Sequence, residues 1–166
     1  GASKRAGELA VRAGNPRSTV VRTAWVVSAR GRNFVRTILE AAAKEAELKV
    51  VADVVGSPTS ADDLAAVLAK LTLAMISDLT TADVYHCVNA GEASWADLAS
   101  ETVRLAGASA TVIPVQTIDR PAPAARPANS RLSCERLARD HGVRLRDWRE
   151  AVADIVAELQ SERVAP

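Results

Sequence analysis

Few residues in this sequence have a type and setting that could support chemistry, and each also has a plain structural interpretation. Lys4 lies near the start of a predicted helix, where a lysine is most often simply solvated. Trp25 lies toward the end of an apolar run that is typical of a strand. Ligands bind at strand ends in open α/β sheets, although a tryptophan there packs in the core about as often.

A basic segment late in the chain is the second candidate. Arg126, Asn129 and Arg131 place two guanidinium groups and an amide near the rigid Pro127. Arginine binds phosphate oxygens through two parallel hydrogen bonds, so this composition suits a diphosphate. An exposed basic loop with no ligand explains the same residues equally well.

Two further motifs indicate weaker sites. The Gly56-Ser57-Pro58-Thr59 loop could bind phosphate through N–H groups and hydroxyls. It lacks the Gly-Lys signature of a phosphate-binding loop, and it also fits a turn before a helix. His86 and Cys87 are neighbours on a predicted strand, so they point to opposite faces and cannot share a metal. The sequence therefore predicts no zinc site.

The composition is that of one globular domain with balanced charge. The 166 residues are 48% hydrophobic and 25% charged, with 21 lysines and arginines against 20 acidic residues. This balance creates no net field for nucleic acid or an anionic membrane, and no apolar run is long enough for a membrane span. The two cysteines lie outside any Cys-x-x-Cys pair, which favours a reducing cytoplasm.

Alternating helices and strands must position the candidate residues. Periodicity and capping residues predict helices over residues 3–13, 33–47, from 60 onward, 94–106, 134–141 and 147–159. Strands are predicted over residues 18–28, 48–51, 84–88 and 111–115. Ser60 and Ser94 are the predicted helix caps, and Asp97 completes a capping box. A Pro/Ala-rich connection at 121–127 and a frayed tail at 161–166 complete an α/β fold with parallel strands.

The first residues have the pattern of a helix already in progress. Leu9 and Val11 are its first apolar contacts, and neither an initiating methionine nor a convincing cap precedes them. We therefore expect Gly1 to be a cut point within a longer protein.

Several segments, in their order along the chain, resemble the dTDP-4-dehydrorhamnose reductase family of extended short-chain dehydrogenases. They are GASKRAGE (1–8), VVRTAWV (20–26), NFVRT (33–37), GSPTSADDLA (56–65), YHCVNAGEASWADLA (85–99), RPANSRLSCERL (126–137) and LRDWREA (145–151). The resemblance runs nearly from end to end, and the combined order is far more specific than any one segment. Ala52-Asp53-Val54 departs from the Asp-Asp-Gln run of many relatives.

The resemblance assigns roles to the candidate residues. The family's catalytic pair is Tyr-x-x-x-Lys, and Gly1-Ala2-Ser3-Lys4 matches everything after the tyrosine. At this spacing the two side chains share a helix face, so the lysine can lower the tyrosine pKa. The tyrosine then protonates a carbonyl oxygen as hydride arrives. By resemblance, Lys4 is catalytic and holds the nicotinamide ribose, Trp25 lies against the sugar, and Arg126 and Asn129 lie near the sugar nucleotide.

The resemblance also implies a domain organisation and a reaction. Residues 1–32 would be the last catalytic helix and strand of a Rossmann-like domain, and residues 33–160 mainly the substrate-binding lobe with returning sheet elements. The nucleotide-binding half would be missing. The implied reaction reduces dTDP-4-dehydro-β-L-rhamnose to dTDP-β-L-rhamnose with NADPH or NADH. Some relatives are homodimers with Mg²⁺ between subunits, which extends the expectation to both, although no metal ligands map onto this chain.

Two alternatives stay open. Relatives of this family serve as non-catalytic regulatory subunits that bind a partner enzyme, such as the beta subunit of methionine adenosyltransferase. Another sugar-nucleotide oxidoreductase or epimerase on the same scaffold is the second alternative. The residue encoded before Gly1 separates the regulatory reading from the reductase, because a residue without a hydroxyl could not donate the proton.

Overall fold

The structure is a computed structural model that describes residues 1–77, 83–119 and 126–164. Its helices are α1 (Ala2–Gly14), α2 (Phe34–Ala42), α3 (Ala61–Ile76), α4 (Trp95–Ala106), α5 (Glu135–His141) and α6 (Trp148–Val164). Its strands are β1 (Val20–Arg22), β2 (Val26–Val27), β3 (Glu47–Val51), β4 (Val55–Gly56), β5 (Thr59–Ser60), β6 (Val84–His86), β7 (Ala93–Ser94), β8 (Thr111–Val115) and β9 (Asn129–Ser130). None of these helices is long and apolar enough to cross a membrane.

Short parallel strand pairs form the framework of the fold. β1 pairs with β6, β2 with β5 and β3 with β8, all in parallel. A further small sheet has β4 in the middle, antiparallel to β7 and parallel to β9. Parallel neighbours require crossover connections, and here these contain α2, α3 and α4. The α/β class with parallel strands that the sequence predicts is confirmed.

The longest predicted strand, residues 18–28, is two strands in the structure. β1 ends at Arg22 and β2 begins at Val26, because Trp25 has a φ of 47° and turns the chain between them. Extended strands need a negative φ, so Trp25 cannot belong to either strand. The two strands therefore pair with different partners.

The predicted side-chain caps mark the starts of two helices. The Ser60 hydroxyl accepts hydrogen bonds from the N–H groups of Asp62 and Asp63 at the start of α3. Ser94 and Asp97 form the predicted capping box at the start of α4. Helix α4 packs against α2, α6 and the β3–β8 pair, so its capped end fixes the position of the residues that follow Ser94.

Asn89 is a buried side chain that ties three segments together. It is 1% exposed and lies shortly after β6. Its Oδ1 accepts from the Ser60 N–H at 2.8 Å, and its Nδ2 donates to Asp63 at 2.7 Å and to the Arg146 carbonyl at 3.1 Å. Arg146 also donates to the same Asp63 carboxylate at 3.0 Å. The network thus joins the start of α3, the end of β6 and the approach to α6.

Helix α6 is longer than the sequence predicts. It continues to Val164 rather than ending near residue 159. Gln160 anchors this last part of the helix by donating to the Ala106 carbonyl at 3.1 Å. Residues 121–125 of the predicted Pro/Ala-rich connection, and residues 165–166, lie outside the described residues.

Replacing Asn89 by alanine should lower the free energy of unfolding by about 3 kcal/mol, because the buried Ser60 N–H loses its acceptor and Asp63 keeps only Arg146 of the two side chains that donate to it. Urea denaturation followed by circular dichroism measures this loss. Asn15→Ala is the matched control, since the Asn15 amide oxygen accepts an exposed local hydrogen bond from the Arg17 N–H. Its loss should stay under about 1 kcal/mol. Equal losses in the two variants would contradict a structural role for the Asn89 network.

Candidate functional site

Trp25 has a backbone conformation that is rare for a bulky side chain. Its φ of 47° lies in the left-handed region, which costs a residue other than glycine about 1–3 kcal/mol. Its carbonyl accepts a hydrogen bond from the Thr59 N–H at 3.1 Å. Strain of this kind persists only where the surroundings fix the residue, so the contacts of the ring become informative.

Besides packing against the core, the Trp25 ring makes two close contacts. It stacks on Trp95, with ring centroids 3.6 Å apart and planes 12° from parallel. It also lies directly against Gly56, where a β-carbon would come within 2.7 Å of Cζ2 and 2.8 Å of Nε1. Only glycine, which has no β-carbon, permits this approach. The Trp25 side chain remains half-buried, so part of its ring is accessible to a ligand.

Trp95 is a site residue that the sequence analysis did not single out. It is the first residue of α4. β7 pairs with β4 so that Ala93 lies opposite Gly56, which brings Trp95 to the Trp25 ring. Phe34 also packs against Trp95, with the two ring centroids 4.6 Å apart and the ring planes tilted by 53°. The only feature in the sequence that could have indicated Trp95 is a large aromatic residue at the first position of a capped helix. The apolar periodicity by itself assigns such a residue to core packing.

An open cleft of about 1410 Å³ lies beside Trp95 and Phe34, and Trp25 is not among the residues that line it. Trp95 forms part of its wall, together with residues of α2, residues along β3 and the last residue of β8. Arg126 also lines the cleft, is exposed, and has no ion-pairing carboxylate among the residues that the structure describes. Its guanidinium is therefore available to an anionic group in the cleft.

Asn129 lies in β9, where its carboxamide is already engaged. It pairs in register with Val55 of β4. Its Oδ1 accepts from both the N–H and the Nε of Arg131 at 3.1 Å, and Arg131 donates to Glu92 at 2.6 Å. The basic segment is thus divided: Arg131 makes structural contacts, Arg126 lines the cleft, and the Asn129 amide nitrogen donates no hydrogen bond to the described residues.

Asp53 joins the carboxyl ends of β3 and β8 at the rim of the cleft. Its carboxylate accepts the Thr117 hydroxyl at 2.7 Å and the Thr117 N–H at 2.9 Å. The hydrogen bonds from the Thr117 hydroxyl, and then from its N–H, lower the pKa of Asp53. Asp53 is therefore bound to Thr117, while the neighbouring Val54 gives the cleft an apolar wall.

Lys4 lies apart from the other candidates, on the exposed start of α1. One turn further along, Glu8 binds Arg22 at the end of β1 through two hydrogen bonds of 2.7 Å each. Lys4 and Glu8 share a helix face at this spacing. The ion pair therefore directs the Lys4 face toward the strand end from which the chain continues to Trp25. The structure thus places Trp25 against Trp95, Arg126 in the cleft that Trp95 lines, and Asn129 on the strand beside β4, while Lys4 lies apart on the exposed α1.

The loop at residues 56–59 has a structural role instead of the phosphate-binding role considered for it. Ser57 is 3% exposed and Thr59 is fully buried. The Thr59 hydroxyl donates to the Ser57 carbonyl at 3.2 Å. These hydroxyls are inside the protein, and the loop serves to bring Gly56 against Trp25.

Cys87 follows β6 in the core and is fully buried. Burial, and then the neighbouring Cys134, raises the pKa of its thiol to about 11, which keeps it protonated and unreactive near neutral pH. Within residues 1–77, 83–119 and 126–164, no group of three or more His, Cys, Asp or Glu side chains could hold a metal ion.

Parallel strand pairs joined through crossover helices define the chain as an α/β domain, with an open cleft beside Trp95. More specifically, it belongs to the family of RmlD substrate binding domains, whose model matches residues 1–161.

The relatives are longer than this chain. A dTDP-4-dehydrorhamnose reductase from Sinorhizobium fredii is 41% identical over 169 residues, which cover 98% of this chain and 57% of that protein. The solved dTDP-4-dehydrorhamnose reductase from Clostridium acetobutylicum has a TM-score of 0.86 and 39% identity, covering 93% of this chain and 53% of that one. The Bacillus anthracis reductase, solved in complex with NADP, has a TM-score of 0.88 and 32% identity, covering 95% and 54%. The chain thus spans little more than half the length of these relatives.

Gly56→Ala should lower the free energy of unfolding by about 2 kcal/mol, because the added methyl group overlaps the Trp25 indole. It should also change the near-ultraviolet circular dichroism of the tryptophans. Gly7→Ala is the control, since Gly7 has open space around it within α1, where alanine stabilises a helix by up to about 1 kcal/mol. A Gly56→Ala variant with unchanged stability and spectrum would show that Trp25 does not lie against Gly56.

The Glu8–Arg22 ion pair should make stability depend on acid pH. The Arg22 guanidinium holds the pKa of Glu8 at about 2, below its ordinary value of 4.5. A lowered pKa contributes stability that is complete above pH 4.5 and is lost as the pH falls through 2. The wild type should therefore be more stable than Glu8→Gln at neutral pH, and the difference should close over this range in urea denaturation.

The exposed Glu40 of α2 provides the matched control. Glu40→Gln should show no such closing difference from the wild type. A Glu8→Gln difference that stays constant down to strongly acid pH would contradict the ion pair.

Proposed function

We propose that this chain is the substrate-binding part of an NAD(P)H-dependent reductase that converts dTDP-4-dehydro-β-L-rhamnose to dTDP-β-L-rhamnose. The observation that carries the proposal is the match of nearly the whole chain, at 41% identity, to a reductase of that name, with Lys4 and Trp25 both present. The open cleft beside Trp95 supports it, because Trp95 also stacks on the Trp25 ring.

The two ends of a sugar nucleotide suit different parts of this site. A deoxyhexose has apolar C–H faces that pack well on an indole, and Trp25 has part of its ring accessible. A diphosphate needs cationic donors, and the Arg126 guanidinium lines the adjacent cleft without an ion-pair partner in the described part of the chain. The amide nitrogen of Asn129 adds a further donor on the neighbouring strand.

Lys4 is the residue of this chain that would serve the reacting end of the site. Its ammonium has three donors and stands exposed on α1, which fits a hydrogen bond to a ribose hydroxyl of the dinucleotide. If a tyrosine occupies the position immediately before Gly1, the Lys4 charge lies one helical turn away from it. That charge would lower the pKa of the tyrosine and favour its role as proton donor. The reduced nicotinamide, when bound, supplies the hydride.

The test uses the complete polypeptide in which a nucleotide-binding half precedes this chain. The wild type should oxidise NADPH when dTDP-4-dehydro-β-L-rhamnose is added, as followed by the loss of NADPH absorbance. Lys4→Ala should reduce kcat/KM on the order of a hundredfold, because the lysine supports general acid catalysis. Lys44→Ala, which removes an exposed lysine just after α2, should keep wild-type turnover.

Three outcomes would count against the proposal. A folded wild type that binds NADPH without turnover would favour a regulatory subunit. Turnover only with a different nucleotide sugar would favour another oxidoreductase on this scaffold. Equal activity of Lys4→Ala and Lys44→Ala would remove Lys4 from the catalytic machinery.

A further inference from the structure

We infer that Trp95 is a positioning residue for substrate, because it holds the Trp25 ring in its left-handed turn and presents that ring to the sugar. This inference rests on the proposed function and deepens it. Nothing in the resemblance assigns a role to Trp95. Its contacts with the Trp25 ring indicate the role.

The backbone of Trp25 is strained. A bulky residue at φ 47° relaxes to an extended strand unless other contacts hold it. The Thr59 hydrogen bond fixes only the Trp25 carbonyl. The missing side chain at Gly56 gives the ring room but no attraction. The stacked Trp95 ring, with its centroid 3.6 Å away, adds an attractive aromatic contact to the packing of Trp25 against the core.

Trp95 is itself held in place by the start of its helix. It follows Ser94, whose hydroxyl and N–H both bond to Asp97 at 2.6 and 2.8 Å in the capping box. Ala93 lies opposite Gly56 in the β7–β4 ladder. One strand pair therefore carries both surfaces that touch the Trp25 ring. Phe34 adds a tilted contact to the Trp95 ring.

Trp95 adjoins both the Trp25 ring and the cleft, the two places where we expect the ligand to bind. Trp95 covers one face of the Trp25 indole, and Gly56 lies along its Cε2, Cζ2 and Nε1 atoms. Trp25 keeps partial exposure, which leaves part of the residue for a sugar. Trp95 also lines the cleft that contains Arg126. Trp95 therefore contacts both the Trp25 ring and the cleft in which a phosphate would meet Arg126.

The test compares four variants of the complete reductase polypeptide: Trp95→Leu, Trp95→Phe, Trp25→Leu and the double variant Trp25→Leu/Trp95→Leu. Trp95→Leu should raise the KM for dTDP-4-dehydro-β-L-rhamnose roughly three- to tenfold, the effect of losing one aromatic pair. The KM for NADPH should not change. Trp95→Phe keeps a flat ring and should recover most of the loss. Because Trp95 acts through Trp25, the double variant should be no worse than Trp25→Leu alone.

A spectroscopic signature separates positioning from general loss of stability. Two indoles stacked this closely should give a far-ultraviolet exciton couplet in circular dichroism, and Trp95→Leu and Trp25→Leu should each abolish it. Leu137→Ala is the control for stability, because Leu137 is fully buried in a different core cluster with Tyr85 and Val67. It should lower stability while preserving both the couplet and the KM.

The results distinguish this inference from the proposed function. Turnover in the wild type, with additive effects of the two tryptophan changes or an unchanged KM in Trp95→Leu, would overturn the inference and leave the reductase intact. An absent couplet in the wild type would also overturn it. No turnover in the folded wild type would instead reject the proposed function, and the positioning role with it.

Discussion

The close approach of the Trp25 ring to the backbone at Gly56 is the constraint on which the site depends. It requires three conditions at once: a residue without a β-carbon at position 56, a left-handed turn at position 25, and the flat Trp95 ring stacked on the indole. The left-handed turn is also what ends β1 and redirects β2 to a different partner. One local conformation therefore determines both the path of the sheet and the presentation of the candidate ligand-binding ring.

The remaining anchors are hydrogen-bond networks that bring distant parts of the chain together. Asn89 joins α3 to the approach of α6, and the Glu8–Arg22 pair docks α1 at the end of β1. These two anchors differ in kind. The buried amide has no access to water, so each of its bonds matters for stability. The ion pair is only partly buried and is accordingly weaker.

The parts of the fold that the sequence predicts correctly are those set by neighbours along the chain. The Ser60 and Ser94 caps, the α/β alternation and the helix starts depend on residues within one turn of each other. The turn at Trp25 depends on Gly56 and Trp95, which are distant in sequence, so an apolar run there resembles one continuous strand. The burial of the 56–59 loop and the extension of α6 depend on equally distant contacts. Among the site residues, Trp95 was missed for the same reason, because its ring partner is visible only in the folded chain.

The bonds already formed around the cleft decide which polar residue is free to bind an anion. Asp53 holds Thr117, and Arg131 holds both Asn129 and Glu92. A ligand that recruited any of these groups would first have to break a hydrogen bond to a charged group, which is worth about 1.5–3 kcal/mol. Arg126 has no such bond to break within the described part of the chain, so moving its guanidinium onto a phosphate requires only desolvation. The expectation of a diphosphate therefore narrows from the whole basic segment to one arginine at the rim of the cleft, beside the tryptophan that positions its neighbour.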